Sequence, residues 1–221
     1  MIKIEQIECW GYEHAIRGMR NPMNSWDKSD SKWVPYLQST ELRIYSIGKN
    51  DLELMNKLYN AGTEHRKFLR QIFVSMDITA PLYWWKEFDT YKIGTVSNSC
   101  STMHKITAKP FDAEDFSAEH LDAGCFDILL NLITELNYHR SCYLDYRARG
   151  SESQKDEWWQ IIQLLPSSYN QKRTITMNYE NVVSIINQRE GHKLDEWNDL
   201  VKTFKNLPYI SEITKNNTQE V

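Results

Sequence analysis

No pair of cysteines in this chain stands at the two-residue spacing of a CxxC motif, and the four that occur, Cys9, Cys100, Cys125 and Cys142, are scattered. That spacing excludes a small disulfide framework and leaves no sequence-local zinc knuckle. His139 and Cys142 fall on one helical face but lack two further ligands, so a zinc site is not expected. A net positive charge is also lacking: a formal net charge of -4 and a pI near 5.9 do not suit a general nucleic-acid surface. Long apolar runs are missing, so no membrane span is expected. There is no GxGxxG turn, no Walker A loop and no nucleophile elbow, which removes the commonest phosphate-loop and hydrolase readings. The opening Met1-Ile-Lys-Ile-Glu has no signal-peptide pattern, and a reducing cytoplasm is the expected compartment.

What the chain has is apolar mass and aromatic rings. With 221 residues, 41% of them hydrophobic, it can bury one large core, and the expectation is a single domain over 1–214 with a polar tail at 215–221. Eight tryptophans and twelve tyrosines include the adjacent pairs Trp84-Trp85 and Trp158-Trp159. Neighbouring rings cannot all face one core, so some are left to stack on a planar ligand or line a subunit interface.

Periodicity places the elements. Ile2 and Ile4 open a strand toward Trp10, and 42–47 form another before a turn at Gly48. Residues 20–31 are turn-rich and polar around Trp26, ordered only if something holds that ring. Asn50 and Glu53 have capping-box spacing, predicting a helix over 51–70. Ile72, Val74, Met76 and Ile78 alternate with Phe73, Ser75 and Asp77, the period of a strand with one buried face. Thr79 and Pro81 then suit a helix start, with the helix running over 81–92 and Gly94 as its stop. A long helix starts near Asp122 and ends by Gly150, residues 151–156 make a linker, and a further helix from about 155 stops before Pro166. Residues 174–177 read as a strand, Asn178 caps a helix ended by Gly191, and 195–206 form a last amphipathic helix.

The segment 95–102 is the most suggestive for chemistry. Thr95, Ser97, Asn98, Ser99, Ser101 and Thr102 supply hydroxyls and an amide suited to ribose, phosphate or base edges. The same residues also make an ordinary polar loop that closes its own turns.

The order of these features resembles the flavin-dependent thymidylate synthases. In that family a Pro-initiated helix runs into a signature R-H-R-x-x-S-x-N-E-x-S-x-R-Y. Here the stretch from Tyr91 to His104 occupies it, keeping Asn98 and Ser101. Tyr91, Lys92 and Ile93 replace the R-H-R triplet, and Val96, Ser99, Met103 and His104 stand at the first Ser, the Glu, the Arg and the Tyr. Leu165-Pro166, then Thr176-Met177-Asn178, then Arg189 after an eleven-residue step reproduce the family's C-terminal order. The likeness spans roughly 42–207.

That resemblance implies an α/β (α+β) fold with a central sheet flanked by long helices, assembled as a homotetramer with sites shared between subunits. It implies a protein that methylates dUMP or a related pyrimidine nucleotide, with FAD as cofactor and NADPH and methylenetetrahydrofolate as co-substrates. It places Arg189 on the arginine that binds and activates the pyrimidine, and Ser184 where a nucleotide-contacting asparagine is expected. Ser97, Asn98, Ser99, Ser101, His104 and Asn178 become nucleotide contacts, and Trp85, Tyr91 and Lys92 flavin contacts. A cation closing a helix end explains Arg189 equally well. The missing arginines keep two alternatives open: a catalytically inactive nucleotide-binding homologue, or a structural or interaction protein on the same fold.

Overall fold

The computed structural model describes residues 2–35 and 43–216. Four strands, β1 (Lys3–Trp10), β4 (Phe73–Pro81), β5 (Thr95–Ser99) and β6 (Asn170–Asn178), form one sheet in the order β1-β4-β6-β5, and β2 (Lys32–Pro35) pairs antiparallel with β3 (Arg43–Ser46). Helices flank the sheet, as the resemblance implies, and β4 and β6 are neighbours. Residue 42 of the expected 42–47 strand, and all of the expected tail beyond 216, lie outside the described residues.

β4 forms where the alternation predicts it. Ile72, Val74, Met76, Ile78 and Ala80 are all at most 1% exposed, while the residues between them are half-buried. Each large apolar side chain so buried contributes about 1.5–3 kcal/mol. The β4–β6 hydrogen bonds run antiparallel, from Tyr179 N to Ile72 O at 2.9 Å, through Thr176 Oγ1 to Ser75 Oγ at 3.0 Å, to Thr174 Oγ1 donating to Asp77 Oδ1 at 2.6 Å.

Chain contacts divide the molecule into two units, and β4 and β6 each pass from one to the other. The first unit comprises Met1–Ile4, Asp77–Thr90 and Ser97–Thr174. Its core is α5 (Ala123–Ala148) against α6 (Gln154–Leu164), with Leu129, Ile133, Leu136 and Ile161 buried beside Ile106, Phe111 and Phe116. Asp122 starts α5 by accepting the Cys125 N–H at 2.8 Å. Of the expected linker at 151–156, residues 151–153 form the connecting turn and 154–156 already belong to the first turn of α6.

The second unit comprises Glu5–Met76, Tyr91–Val96 and Ile175–Val221. It holds α1 (Tyr12–Arg20), α2 (Lys49–Asn60), α7 (Tyr179–Arg189), α8 (Asp195–Lys205) and α9 (Ile210–Thr214). The single helix expected over 51–70 is broken. α2 ends at Asn60, Gly62 takes φ 118°, and a short 3-10 helix follows at Lys67–Gln71. Gly48, not Asn50, is the N-cap of α2.

The 20–31 loop is held mainly by an arginine rather than by its tryptophan. Buried Arg20 donates to Asp51 Oδ1 at 2.6 Å and to the carbonyls of Ser25 and Lys28 at 3.1 Å each. Trp26 remains 51% exposed, with its indole N–H on Asn21 Oδ1 at 2.8 Å. No helix among the described residues is long and apolar enough to cross a membrane.

Candidate functional site

Arg189 is set at the end of α7 by local rules. The Asn178 side chain caps the helix by accepting the Asn181 N–H at 3.0 Å. Val182, Val183, Ile185 and Ile186 turn inward, and Gly191 at φ 71° lies just past the C-terminus. Half-buried, Arg189 does not lie out in solvent as a simple helix-end cation. Its guanidinium carbon sits 4.4 Å over the Trp197 ring and 5.6 Å from the Tyr91 ring centre, and its Nε donates to Tyr91 Oη at 2.8 Å. Tyr91 Oη donates in turn to Gln188 Oε1 at 3.1 Å, and Gln188 Nε2 donates to Ser184 Oγ at 2.9 Å.

The segment 91–96 is brought to this corner by Asn181, whose Nδ2 donates to Ile93 O at 2.7 Å and to Thr95 Oγ1 at 2.9 Å. Gly94 sits here at φ 74°, and a Cβ on it would come within 2.7 Å of Asn178 Nδ2. Lys92 is exposed. Arg189 Nη1 approaches His192 Nε2 at 3.2 Å, while Leu194 N donates to His192 Nδ1 at 3.1 Å. A neutral imidazole has one acceptor nitrogen, so it cannot serve both donors. The arrangement fixes the plane of a guanidinium between aromatic rings, the geometry that suits in-plane recognition of carbonyl or carboxylate oxygens. Tyr91, Asn178, Ser184 and Arg189 thus share this corner. Asn181, Gln188, His192 and Trp197 complete it, and helix periodicity alone gives them no functional mark.

The first unit holds the other expected residues. Ser97, Asn98 and Ser99 lie not on a loop but on the exposed edge strand β5. Hydroxyl-rich and lacking alternating apolar side chains, the segment hides its strand character; the backbone shows it, with Cys100 N donating to Lys172 O at 2.9 Å and Gln171 Nε2 to Cys100 O at 2.9 Å. Ser101 Oγ accepts the His104 N–H at 3.1 Å and so starts the short helix α4 (Thr102–Lys105), while the His104 side chain is exposed.

Trp85 is a correction. α3 (Leu82–Phe88) is shorter than the expected 81–92 and is enclosed, with Trp84 and Trp85 both 0% exposed. Arg173 covers the Trp85 ring at 4.3 Å, Trp84 and Phe88 stand edge-on at 4.8 and 5.3 Å, and the indole N–H donates to Gln171 O at 2.8 Å. No face remains for a flavin. Arg173, unmarked in the sequence, organises this corner by donating to Gln171 Oε1 at 2.9 Å and Asp89 Oδ1 at 2.7 Å. Among the described residues no group of His, Cys, Asp and Glu is placed to hold a metal ion.

No family model and no curated protein sequence matches the chain. Solved structures do. A crystal structure of thymidylate synthase X from Helicobacter pylori with FAD and dUMP superposes with a TM-score of 0.68, covering 97% of this chain and 97% of that one at 16% identity. A second structure of that flavin-dependent enzyme, also complexed with FAD and dUMP, gives 0.66 over 96% and 97%, again at 16% identity. At that identity the likeness is one of fold: the chain folds like the flavin-dependent thymidylate synthases.

Proposed function

We propose that this chain is a flavin-dependent methyltransferase of the thymidylate synthase type, acting on dUMP or a related pyrimidine nucleotide. The observation that carries the reading is Arg189, a guanidinium held flat by Trp197 and Tyr91 at a helix end, on a fold whose structural neighbours contain FAD and dUMP. Arg189 is proposed to bind the carbonyl edge of the pyrimidine and to stabilise the negative charge that develops there during reaction. Asn178 would contribute through its amide N–H, since its oxygen is committed to the helix cap, and Ser184 through its hydroxyl. Ser97, Asn98, Ser99, Ser101 and His104 are proposed ribose and phosphate contacts.

The fit of this chain to FAD is partial. Trp85 does not fit, because both its faces are enclosed. Tyr91 and Lys92, on an accessible segment, offer an aromatic edge and a cation, and they are the residues proposed to hold the flavin. When bound, FAD reduced by NADPH supplies the transfer of the one-carbon unit from methylenetetrahydrofolate to C5 of the pyrimidine. A homotetramer, one domain over 1–214 and a cytoplasmic location belong to the same proposal.

A second reading, a nucleotide-binding homologue without catalysis, is favoured by two specific features: Tyr91-Lys92-Ile93 in place of the basic triplet, and the enclosed Trp85. Purification followed by absorption spectroscopy and FAD titration separates the two. A yellow protein, or quenching of flavin fluorescence on titration, supports the first reading. dUMP binding with no flavin binding supports the second, and binding of neither ligand leaves a structural or interaction protein.

A further inference from the structure

The 20–31 loop presents a tryptophan that neither the core nor the proposed reaction uses. Trp26 leaves half its surface exposed, yet the ring is fixed. Its indole N–H is on Asn21 Oδ1, and the short 3-10 turn Trp26–Lys28 is bracketed by Arg20, which donates to Ser25 O before it and to Lys28 O at its end. A ring held in this way loses little freedom when a ligand covers it. Beside Trp26 lies a cavity of about 490 Å³, wholly within the second unit and formed by α1, this loop and β3.

Buried Ile16 and Arg20 line the cavity together with Tyr45. Tyr45 is set by its cross-strand partner Trp33, whose ring meets it edge-on at 5.2 Å, and the Trp33 indole N–H donates to Glu13 Oε2 at 3.3 Å. That contact orients the Glu13 carboxylate and leaves it capacity to accept further donors. Arg17, one helical turn further along α1, lines the same cavity, and among the described residues it has no ion pair and no hydrogen bond. Glu13 and Arg17 have the spacing at which opposite charges on a helix can pair, but they do not pair with each other. The Tyr45 hydroxyl also has no hydrogen-bond partner among the described residues. Burial first, then the Glu13 and Asp51 carboxylates, raises its pKa above the ordinary tyrosine value, so it stays a hydroxyl at neutral pH.

Charge selects the ligand. Arg20 and Asp51 neutralise each other, which leaves one carboxylate and one guanidinium on the cavity wall. A phosphate ester would face the carboxylate, and a simple amine would face the guanidinium. A neutral ligand would strip water from both charges and replace it with nothing of opposite sign. A zwitterion answers both, with an ammonium on Glu13, a carboxylate on Arg17 and a side-chain ring against Trp26. The volume falls within the range of about 300–1,000 Å³ usual for small-molecule sites. We infer that this cavity binds a free α-amino acid with an aromatic side chain. The inference stands apart from the nucleotide reading, because it uses none of the residues assigned to the pyrimidine, its phosphate or the flavin.

Fluorine NMR of para-fluoro-L-phenylalanine tests it on wild type, Glu13→Gln, Arg17→Gln and Trp26→Leu, with L-phenylalanine, N-acetyl-L-phenylalanine and L-phenylalaninamide as competitors. All three residues are exposed, so the variants keep the fold, which far-UV circular dichroism checks. Wild type should broaden the probe line, L-phenylalanine should displace it, and each variant should bind about ten-fold more weakly or worse. Wild type should also reject the acetylated and amidated competitors by about ten-fold, the first preference vanishing in Glu13→Gln and the second in Arg17→Gln. A merely structural role for the two side chains would not produce that pairing of ligand with mutation. No broadening at about 10 mM protein-accessible probe would overturn the inference. So would equal affinity for L-phenylalanine and its amide, which would mark a site for cations, and so would binding unchanged in both glutamine variants, which would put the ligand elsewhere.

Discussion

Replacing Asp51 by alanine should cost more stability than any other single polar substitution in the second unit. The Asp51 side chain is fully buried and receives the Arg20 guanidinium at 2.6 Å, the hydroxyls of Ser29 and Ser31 at 2.7 and 2.6 Å, and the backbone N–H groups of Asp30 and Ser31 at 3.3 and 3.2 Å. Removing the carboxylate strands a buried arginine and two hydroxyls, and breaking a buried pair in that way costs about 3–5 kcal/mol. For a chain of this length that is a fall in Tm of roughly 6–20 °C. Chemical denaturation at pH 7 with circular dichroism detection reads the loss directly. Burial pushes the Asp51 pKa up, but the hydroxyls of Ser31 and Ser29 and then Arg20 outweigh it, so the net shift is downward. A depressed carboxylate contributes stability above its unfolded pKa of about 3.9 and loses it as pH falls through the folded value. The gap between wild type and Asp51→Asn should therefore close below about pH 4. A loss under about 1 kcal/mol for Asp51→Ala would refute the reasoning, since that is the range of an exposed pair.

Gly11→Ala should destabilise by more than about 2 kcal/mol in the same denaturation assay, because Gly11 takes φ 94° and a Cβ would meet Gln71 O at 2.1 Å; a neutral substitution would mean that the close approach relaxes freely. Trp85→Ala should cost about 3–5 kcal/mol in that assay, as expected for an enclosed ring, and Trp85→Phe should leave FAD affinity unchanged; a loss of FAD affinity in Trp85→Phe would restore the ring to the flavin contacts.

What was legible followed from strong periodicity and good caps. β4, α5, α7 and α8 all have a buried face at the expected spacing, α5 starts at Asp122 as expected, and Asn178 caps the helix that it was expected to cap. Short elements were lost where side chains gave little period, α4, α9, and above all β5, a run of Thr, Ser and Asn that joins the sheet through its backbone; α1 went unread although Tyr12, Ala15, Ile16 and Arg20 make a buried face. The adjacent pair Trp84-Trp85 argued against shared burial, yet a short helix enclosed on all sides buries both rings. Surplus aromatic surface is nonetheless present elsewhere, at Trp10, Trp26, Trp33 and Trp159, each more than 40% exposed. Arg189 was singled out through the family resemblance, but its ring partners were not, because Trp197 and His192 meet it only after α7 and α8 fold back on each other.

The most direct measurement is isothermal calorimetry of dUMP against wild type and Arg189→Lys, which keeps the charge but removes the planar fork. Deoxyuridine, which lacks the phosphate, is the companion ligand. Arg189 Nε bonds to Tyr91 and its plane rests on Trp197, so a small cost in stability, about 1 kcal/mol, is expected from packing alone. If the guanidinium holds the pyrimidine edge, dUMP and deoxyuridine should both weaken by about 1.5–3 kcal/mol, the worth of a charged hydrogen bond. Equal affinity of wild type and Arg189→Lys for both ligands, with only the stability changed, would contradict the account and leave Arg189 a purely structural cation.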